Sequence, residues 1–155
     1  MDIDLVVKGG TVVTAADVTR CDVGISGGRI VALADGLTGK TQVDATGLLV
    51  LPGGIDAHCH LAQQVEPGVE MADGFESGTR SAACGGTTTV ISFAAQQRGA
   101  TLREAVEEYH RKADDSALID YGFHMIITDP TPAVLHEELP RLVSEGYTSF
   151  KIYMT

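Results

Sequence analysis

The sequence predicts an α/β protein in two parts: a small antiparallel β module over residues 1–52, then four β/α units over 53–155. Three observations predict it. Short β-prone runs punctuated by glycine pairs fill the first part. After Gly54, strand-like segments at 54–60, 87–94, 120–127 and 148–154 recur at the length of a β/α unit. The segments between them carry helix caps and helical periodicity. Strands alternating with helices make a parallel sheet, either open or closed into a barrel.

In the first part, residues 3–8 and 11–14 are β-prone runs, and Gly9-Gly10 between them reads as a hairpin turn. The pattern recurs with Val23-Gly24-Ile25-Ser26, then Gly27-Gly28, then Arg29 to Leu33. A third piece, Gln42 to Ala45 and Leu48 to Leu51, closes at Pro52-Gly53-Gly54. So short a module buries little surface alone and is expected to pack against something else. In the second part, Asp73-Gly-Phe-Glu76 opens a helix that Gly85-Gly86 ends. Thr101-Leu-Arg-Glu104 is a capping box, followed at helical spacing by Leu102, Ala105, Val106, Tyr109 and Ala113. Thr131-Pro132 starts a third helix whose apolar face is Val134, Leu135, Leu139, Leu142 and Val143. Pro140 interrupts it, predicting a kink or two short helices before Gly146.

Composition narrows the function. Hydrophobic residues at 44% and charged residues at 21% are those of an ordinary globular protein rather than a disordered one. A net charge of −10 repels a phosphate backbone, which argues against nucleic acid as a partner. The opening Met-Asp-Ile-Asp lacks the positive start of a signal peptide. The apolar run at 48–51 falls far short of the roughly 20 residues that span a bilayer. Cys21, Cys59 and Cys84 form no CxxC pair. These features together indicate a reduced, cytoplasmic protein with no membrane partner.

Asp56-Ala-His58-Cys-His60 carries the chemistry. Strand alternation puts positions 56, 58 and 60 on one face, so two imidazoles converge on one metal ion. Asp56 either binds metal or orients a ligand. The alternative is a pair of partly buried histidines bonded to backbone carbonyls. An apolar strand opened by Pro-Gly-Gly is where barrel enzymes place their chemistry, and that context favours metal. Cys59 points the other way, into the core. His110 falls on the exposed side of a charged helix, His124 reads as a satisfied core residue, and His136 lies at the surface. Lys151 sits inside the apolar segment Ser149-Phe-Lys-Ile-Tyr-Met154. Either it snorkels out at the strand end, or desolvation makes it a nucleophilic amine able to take up carbon dioxide as a carbamate.

The segment Pro52-Gly-Gly-Ile-Asp-Ala-His-Cys-His-Leu61 resembles the first-strand motif of the cyclic amidohydrolases, specifically the dihydropyrimidinase and D-hydantoinase group. Gly85-Gly-Thr-Thr-Thr89, Tyr121-Gly-Phe-His-Met125 and Ser149-Phe-Lys-Ile-Tyr-Met-Thr155 are similar to that group's next three strand signatures, in order. The resemblance covers the whole chain. It implies the first half of a (β/α)8 TIM-type barrel, preceded by part of a β-sandwich. An open doubly wound sheet would carry a glycine-rich phosphate loop after its first strand, and His-Cys-His-Leu is not one.

The resemblance further implies that His58 and His60 bind one zinc and that carbamylated Lys151 bridges two. A hydroxide would then attack the ring amide of a dihydropyrimidine or a 5-substituted hydantoin. The loop Gln63-Gln64-Val65, more polar than in many hydantoinases, is expected to meet the ring substituent. Allantoinase and dihydroorotase share the metal site and are the alternative enzymes, and non-catalytic scaffold relatives are the alternative class. The family resemblance also implies a homo-oligomer, a tetramer. By the same resemblance two further histidine ligands and an aspartate base belong to later strands, and the tyrosine that stabilises the oxyanion is expected one position after Thr155. The 155 residues are therefore expected to be the front of a longer protein, inactive alone and weak in binding zinc.

Overall fold

The computed structural model describes residues 2–66 and 68–154, with Val65, Glu66 and Glu70 described by backbone alone. Backbone contacts divide the chain into two units, Met1–Pro52 and Gly53–Thr155.

The first unit is a five-stranded sheet of β1 (Leu5–Val13), β2 (Val18–Ser26), β3 (Arg29–Ala34), β4 (Thr41–Asp44) and β5 (Leu49–Val50). β1 is one continuous strand, so Gly9-Gly10 is not the expected hairpin turn. The register with β2 slips between Val7 and Gly10, and Gly9 takes a φ of 71°. That is a glycine bulge inside a strand. The carboxylate of Asp22 accepts the freed Gly9 N–H at 2.8 Å. The chain reverses instead at Thr14–Asp17, where the Thr14 hydroxyl accepts the N–H groups of Ala16 and Asp17. Gly27-Gly28 does turn β2 into β3, both at positive φ, the requirement of a tight hairpin. β4 and β5 pair with β1 in parallel, so the module is mixed rather than antiparallel throughout. Residues 35–40 lead the chain from β3, beside β2, to the far side of β1 before β4 begins. That crossover, unlike a hairpin, lets β4 run in the same direction as β1.

The second unit is a parallel sheet with helices packed on one face. Its strands are β6 (Gly54–Asp56), β9 (Thr87–Ala95), β10 (Asp120–Ile126) and β11 (Phe150–Lys151). A small hairpin, β7 (Gln64–Glu66) with β8 (Val69–Glu70), follows β6. The helices are α1 (Phe75–Cys84), α2 (Leu102–Ala113) and α3 (Leu139–Ser144). The spatial order β6-β9-β10-β11 is the chain order, without the reversal of a doubly wound sheet. Right-handed crossovers that never reverse leave every helix on one side and curl the sheet, and the result is a half barrel.

Local chemistry sets the elements. Thr101 and Glu104 exchange both bonds of the capping box, at 3.1 and 2.7 Å. All five predicted apolar positions of α2 are buried. The third helix begins as a π-helical turn, Val134–Glu138, and continues as α3 from Leu139. Pro140 has no N–H to donate, which favours the wider turn just before it. The extra residue rotates the apolar stripe: Val134 and Leu142 are buried while Leu135 and Val143, expected inside, face outward. β6 and β11 are shorter than predicted, since each pairs on one side only.

Candidate functional site

The face of the parallel sheet away from the helices carries the polar residues, and its centre is Phe93 of β9. Strand alternation sends Val90, Ser92 and Ala94 under the helices, where they are buried, and turns Phe93 to the opposite side. His60 stacks on the Phe93 ring, with centroids 4.7 Å apart and planes at 14°. His58 meets the same ring edge-on at 4.7 Å, and the two imidazoles lie 5.5 Å apart. His124 approaches at 5.0 Å, and the Lys151 ammonium sits 4.5 Å from the ring centroid. Side chains from β10, β11 and the segment that follows β6 thus gather on one aromatic ring of β9, toward the C-terminal ends of the strands.

His58 and His60 reach it differently from the alternation argument. β6 ends at Asp56, and both histidines lie beyond the strand. The Asp56 carboxylate accepts the His58 N–H at 3.0 Å, a local bond that turns the chain out of the ladder. Asp56 therefore shapes the main chain at His58. Past the turn, Cys59 N–H still bonds to the Ile91 carbonyl at 3.4 Å, which keeps the segment beside β9. Cys59 packs against the core, as expected. Burial, and then the charge of Asp56, push its thiol above the usual thiol range, so it stays protonated.

Hydrogen bonds decide which ring nitrogens can bind a ligand. His60 Nδ1 lies 2.5 Å from the Gln63 carboxamide oxygen, an acceptor, and this placement favours the tautomer with the proton on Nδ1 and the lone pair on Nε2. His124 Nε2 donates to the Ala57 carbonyl at 2.8 Å, and Nδ1 accepts from the Ser149 hydroxyl at 2.5 Å. Both its nitrogens are spent, which matches the satisfied residue the sequence suggested. What it does is brace: it joins the residue before His58 to the strand entry of Lys151. Among the described residues no group of three or more His, Cys, Asp or Glu is placed to hold a metal. Lys151 is half-buried, over Phe93 and 5.3 Å from the Tyr153 ring centroid. Gln63 belongs to the site through His60, whereas Gln64 is exposed in β7. The side chain of Val65 and all of Thr155 lie outside the described residues.

Sequence reasoning missed three contributors. Phe93 was detectable in principle, since positions 89, 91 and 93 share the face that the helices leave free. Ser92 is fully buried and accepts the N–H of Leu61 at 3.2 Å, fixing the residue after His60. Buried Gln96 accepts from the N–H groups of Thr128 and Asp129, tying together the loops after β9 and β10. His110 corrects its expected role: it is half-buried on the helix side rather than solvated. Tyr121 donates its hydroxyl proton to Asp114 and accepts from His110 Nδ1, while Nε2 bonds to the Tyr147 hydroxyl at 2.7 Å. His136 is exposed, as expected.

The family profile described as the amidohydrolase family matches residues 49–134. A D-hydantoinase of Streptomyces coelicolor is 46% identical over 156 residues, covering 96% of this chain and 33% of its own. A solved structure of D-hydantoinase superposes with a TM-score of 0.93 at 44% identity, covering 99% of this chain and 33% of that one. The crystal structure of dihydropyrimidinase from Brevibacillus agri gives a TM-score of 0.90 at 42% identity, over 97% and 33% of the two chains. The chain spans about a third of the length of the curated relatives it matches.

Proposed function

The chain belongs to the amidohydrolase family, and from that premise we propose that the protein hydrolyses the cyclic amide bond of dihydropyrimidines or 5-substituted hydantoins. The observation that carries the reading is the convergence of His58, His60 and Lys151 on the Phe93 ring. Its similar proteins are named D-hydantoinase and dihydropyrimidinase, which supports the substrate class.

The donor set fits zinc. Neutral imidazole is a ligand for that ion, and His60 presents Nε2 with its lone pair free. His58 stands beside it. Lys151 is the third ligand in this reading, through a carbamate. Its neutral amine attacks carbon dioxide, a C–N bond forms as one C–O π bond opens, one amine proton leaves, and the product carries a single negative charge shared over two oxygens. Two bound zinc ions would supply hydroxide near neutral pH and polarise the ring carbonyl. The chain's own residues set the geometry. Phe93 forms an apolar floor that keeps water from beneath the imidazoles, and His124 links the segment before His58 to the one before Lys151. Gln63 holds the His60 ring, and its loop borders the place where a ring substituent would lie.

By the same reading the whole protein is a homo-oligomer, a tetramer, in a reducing cytoplasm that suits its three free cysteines. Among the described residues no helix is long and apolar enough to cross a membrane. The test is metal analysis of the whole protein with a panel of dihydrouracil, 5-substituted hydantoins, allantoin and dihydroorotate. Zinc and turnover of the first two are expected. A strong preference for the carboxylated ring would move the protein to the dihydroorotase type, and purification without zinc would favour a scaffold.

A further inference from the structure

We infer that Gln63 is a positioning residue that sets the tautomer of His60, and that Lys112 on α2 holds Gln63 in place through the backbone of Ala62. The inference rests on the proposed zinc site for its functional consequence, while the tautomer itself does not depend on metal.

The geometry around residues 61–63 is a pedestal with three attachments. Leu61 is buried, donates its N–H to Ser92, and lies against α1 where Gly78 has no side chain. A Cβ at Gly78 would stand 2.4 Å from Leu61 Cδ2, so any larger residue there would make the Leu61 side chain shift. Ala62 has a φ of 50°, the only positive value among the described non-glycine residues. An alanine holds that left-handed conformation only when its surroundings impose it. Two groups do so here. The Ala62 N–H donates to the Asp73 carbonyl at 2.9 Å, and its own carbonyl accepts from the Lys112 ammonium at 3.3 Å. Lys112 is in turn fixed by an ion pair with Glu108 at 2.6 Å and by its place over the Tyr109 ring, 4.6 Å from the centroid. The third attachment is the Gln63 carbonyl, which accepts the Met71 N–H at 3.3 Å.

With its main chain fixed at both ends, Gln63 has its carboxamide oxygen aimed at His60 Nδ1. An acceptor at Nδ1 places the proton there and leaves Nε2 to bind a ligand, and such outer partners orient a ligating histidine and raise its basicity. The loop therefore serves the ligand as well as the pocket wall. Lys112, fifty positions along the chain from Ala62, has a part in the site that no local pattern would have assigned.

The test uses the whole protein. Long-range 1H–15N correlation in the metal-free state reads the His60 tautomer, and competition with a chromophoric chelator reads zinc affinity. The wild type should show the proton on Nδ1. Gln63→Leu should move it toward Nε2 and weaken zinc binding by about 10–100-fold, while Gln63→Glu, which keeps an acceptor, should retain both. Lys112→Met, which keeps the packing over Tyr109, should give the same tautomer change to a smaller extent. Gln63→Leu with an unchanged tautomer and zinc affinity within twofold overturns the inference. Lys112→Met indistinguishable from wild type overturns its Lys112 half. A shifted tautomer with unchanged zinc affinity upholds the positioning role and instead removes His60 from the proposed ligand set.

Discussion

Gly53→Ala tests how β6, and with it the histidine pair, is seated on the sheet. A Cβ built on Gly53 would lie 2.7 Å from Thr88 Cβ, 2.3 Å from its Cγ2 and 2.1 Å from its Oγ1. Rotating Thr88 about χ1 moves the last two atoms but leaves Cβ where the backbone of β9 holds it. β9 is itself paired on both sides, with β6 and β10, so the edge strand β6 is the element that must retreat. Overpacking of this kind costs about 1–3 kcal/mol, and alanine returns about 0.4–1 kcal/mol by restricting the unfolded chain. The midpoints of these two ranges leave a net loss of about 1.3 kcal/mol. At Gly54 the nearest atom is Thr87 Oγ1 at 3.3 Å, so Gly54→Ala should cost less. Urea unfolding at constant m-value measures both, and shifts in the His58 and His60 ring resonances report the displaced strand. Thr88→Gly in the Gly53→Ala background removes the clashing atoms, and the two changes should couple favourably. A Gly53→Ala protein that unfolds at or above the wild-type midpoint would refute the seating argument.

Other predictions follow from the same contacts. Thr101→Ala removes the hydroxyl that accepts the Glu104 N–H, leaving the backbone N–H of residue 101 to donate to the Glu104 carboxylate, and should cost about 1 kcal/mol in urea unfolding, with Thr101→Ser nearly neutral. Burial and then the Glu108 charge push Tyr109 up to about 12, and burial and then the bond to Asp114 do the same for Tyr121. The folded state therefore keeps protons that the unfolded chain loses near pH 10, so stability holds below about 10 and falls as pH rises toward about 12. With exposed Tyr153 replaced by Phe, phenolate absorbance from this chain should rise in step with unfolding, and Tyr109 or Tyr121 phenolate appearing near pH 10 with the fold intact would contradict the burial. Lys151→Ala in the whole protein should lower zinc content and turnover together, with part of each restored by a short carboxylic acid. Full zinc and near-normal turnover in that variant would end its bridging role.

Where the sequence read well, the signal was short in range. The capping box at Thr101, the glycine pair at 27–28 and the stop at Gly146 act through atoms within a few residues, and each appears in the structure. Periodicity failed where one residue changed the phase. The bulge at Gly9 kept one strand continuous through a glycine pair that looked like a turn, and the π-helical turn before Pro140 moved Leu135 and Val143 outward. The structure does bring the His58 and His60 rings near each other, but by a geometry other than strand alternation, since a carboxylate turn rather than a strand carries them.

By itself the sequence determined the order of elements and the identity of the residues with chemistry to offer. A parallel sheet in chain order follows from alternating strand and helix signals, and His58, His60 and Lys151 stand out by residue type and context. Tertiary structure alone decided who their partners are. Phe93, His124, Gln63 and Lys112 enter the site from separate elements, and His110, read as solvated, found two tyrosines on other segments. The physical reason is range. Caps and turns are settled by bonds a few residues long, whereas an aromatic contact, a ring tautomer or an ammonium on a distant carbonyl exists only after curling of the sheet has brought its members within a few ångströms.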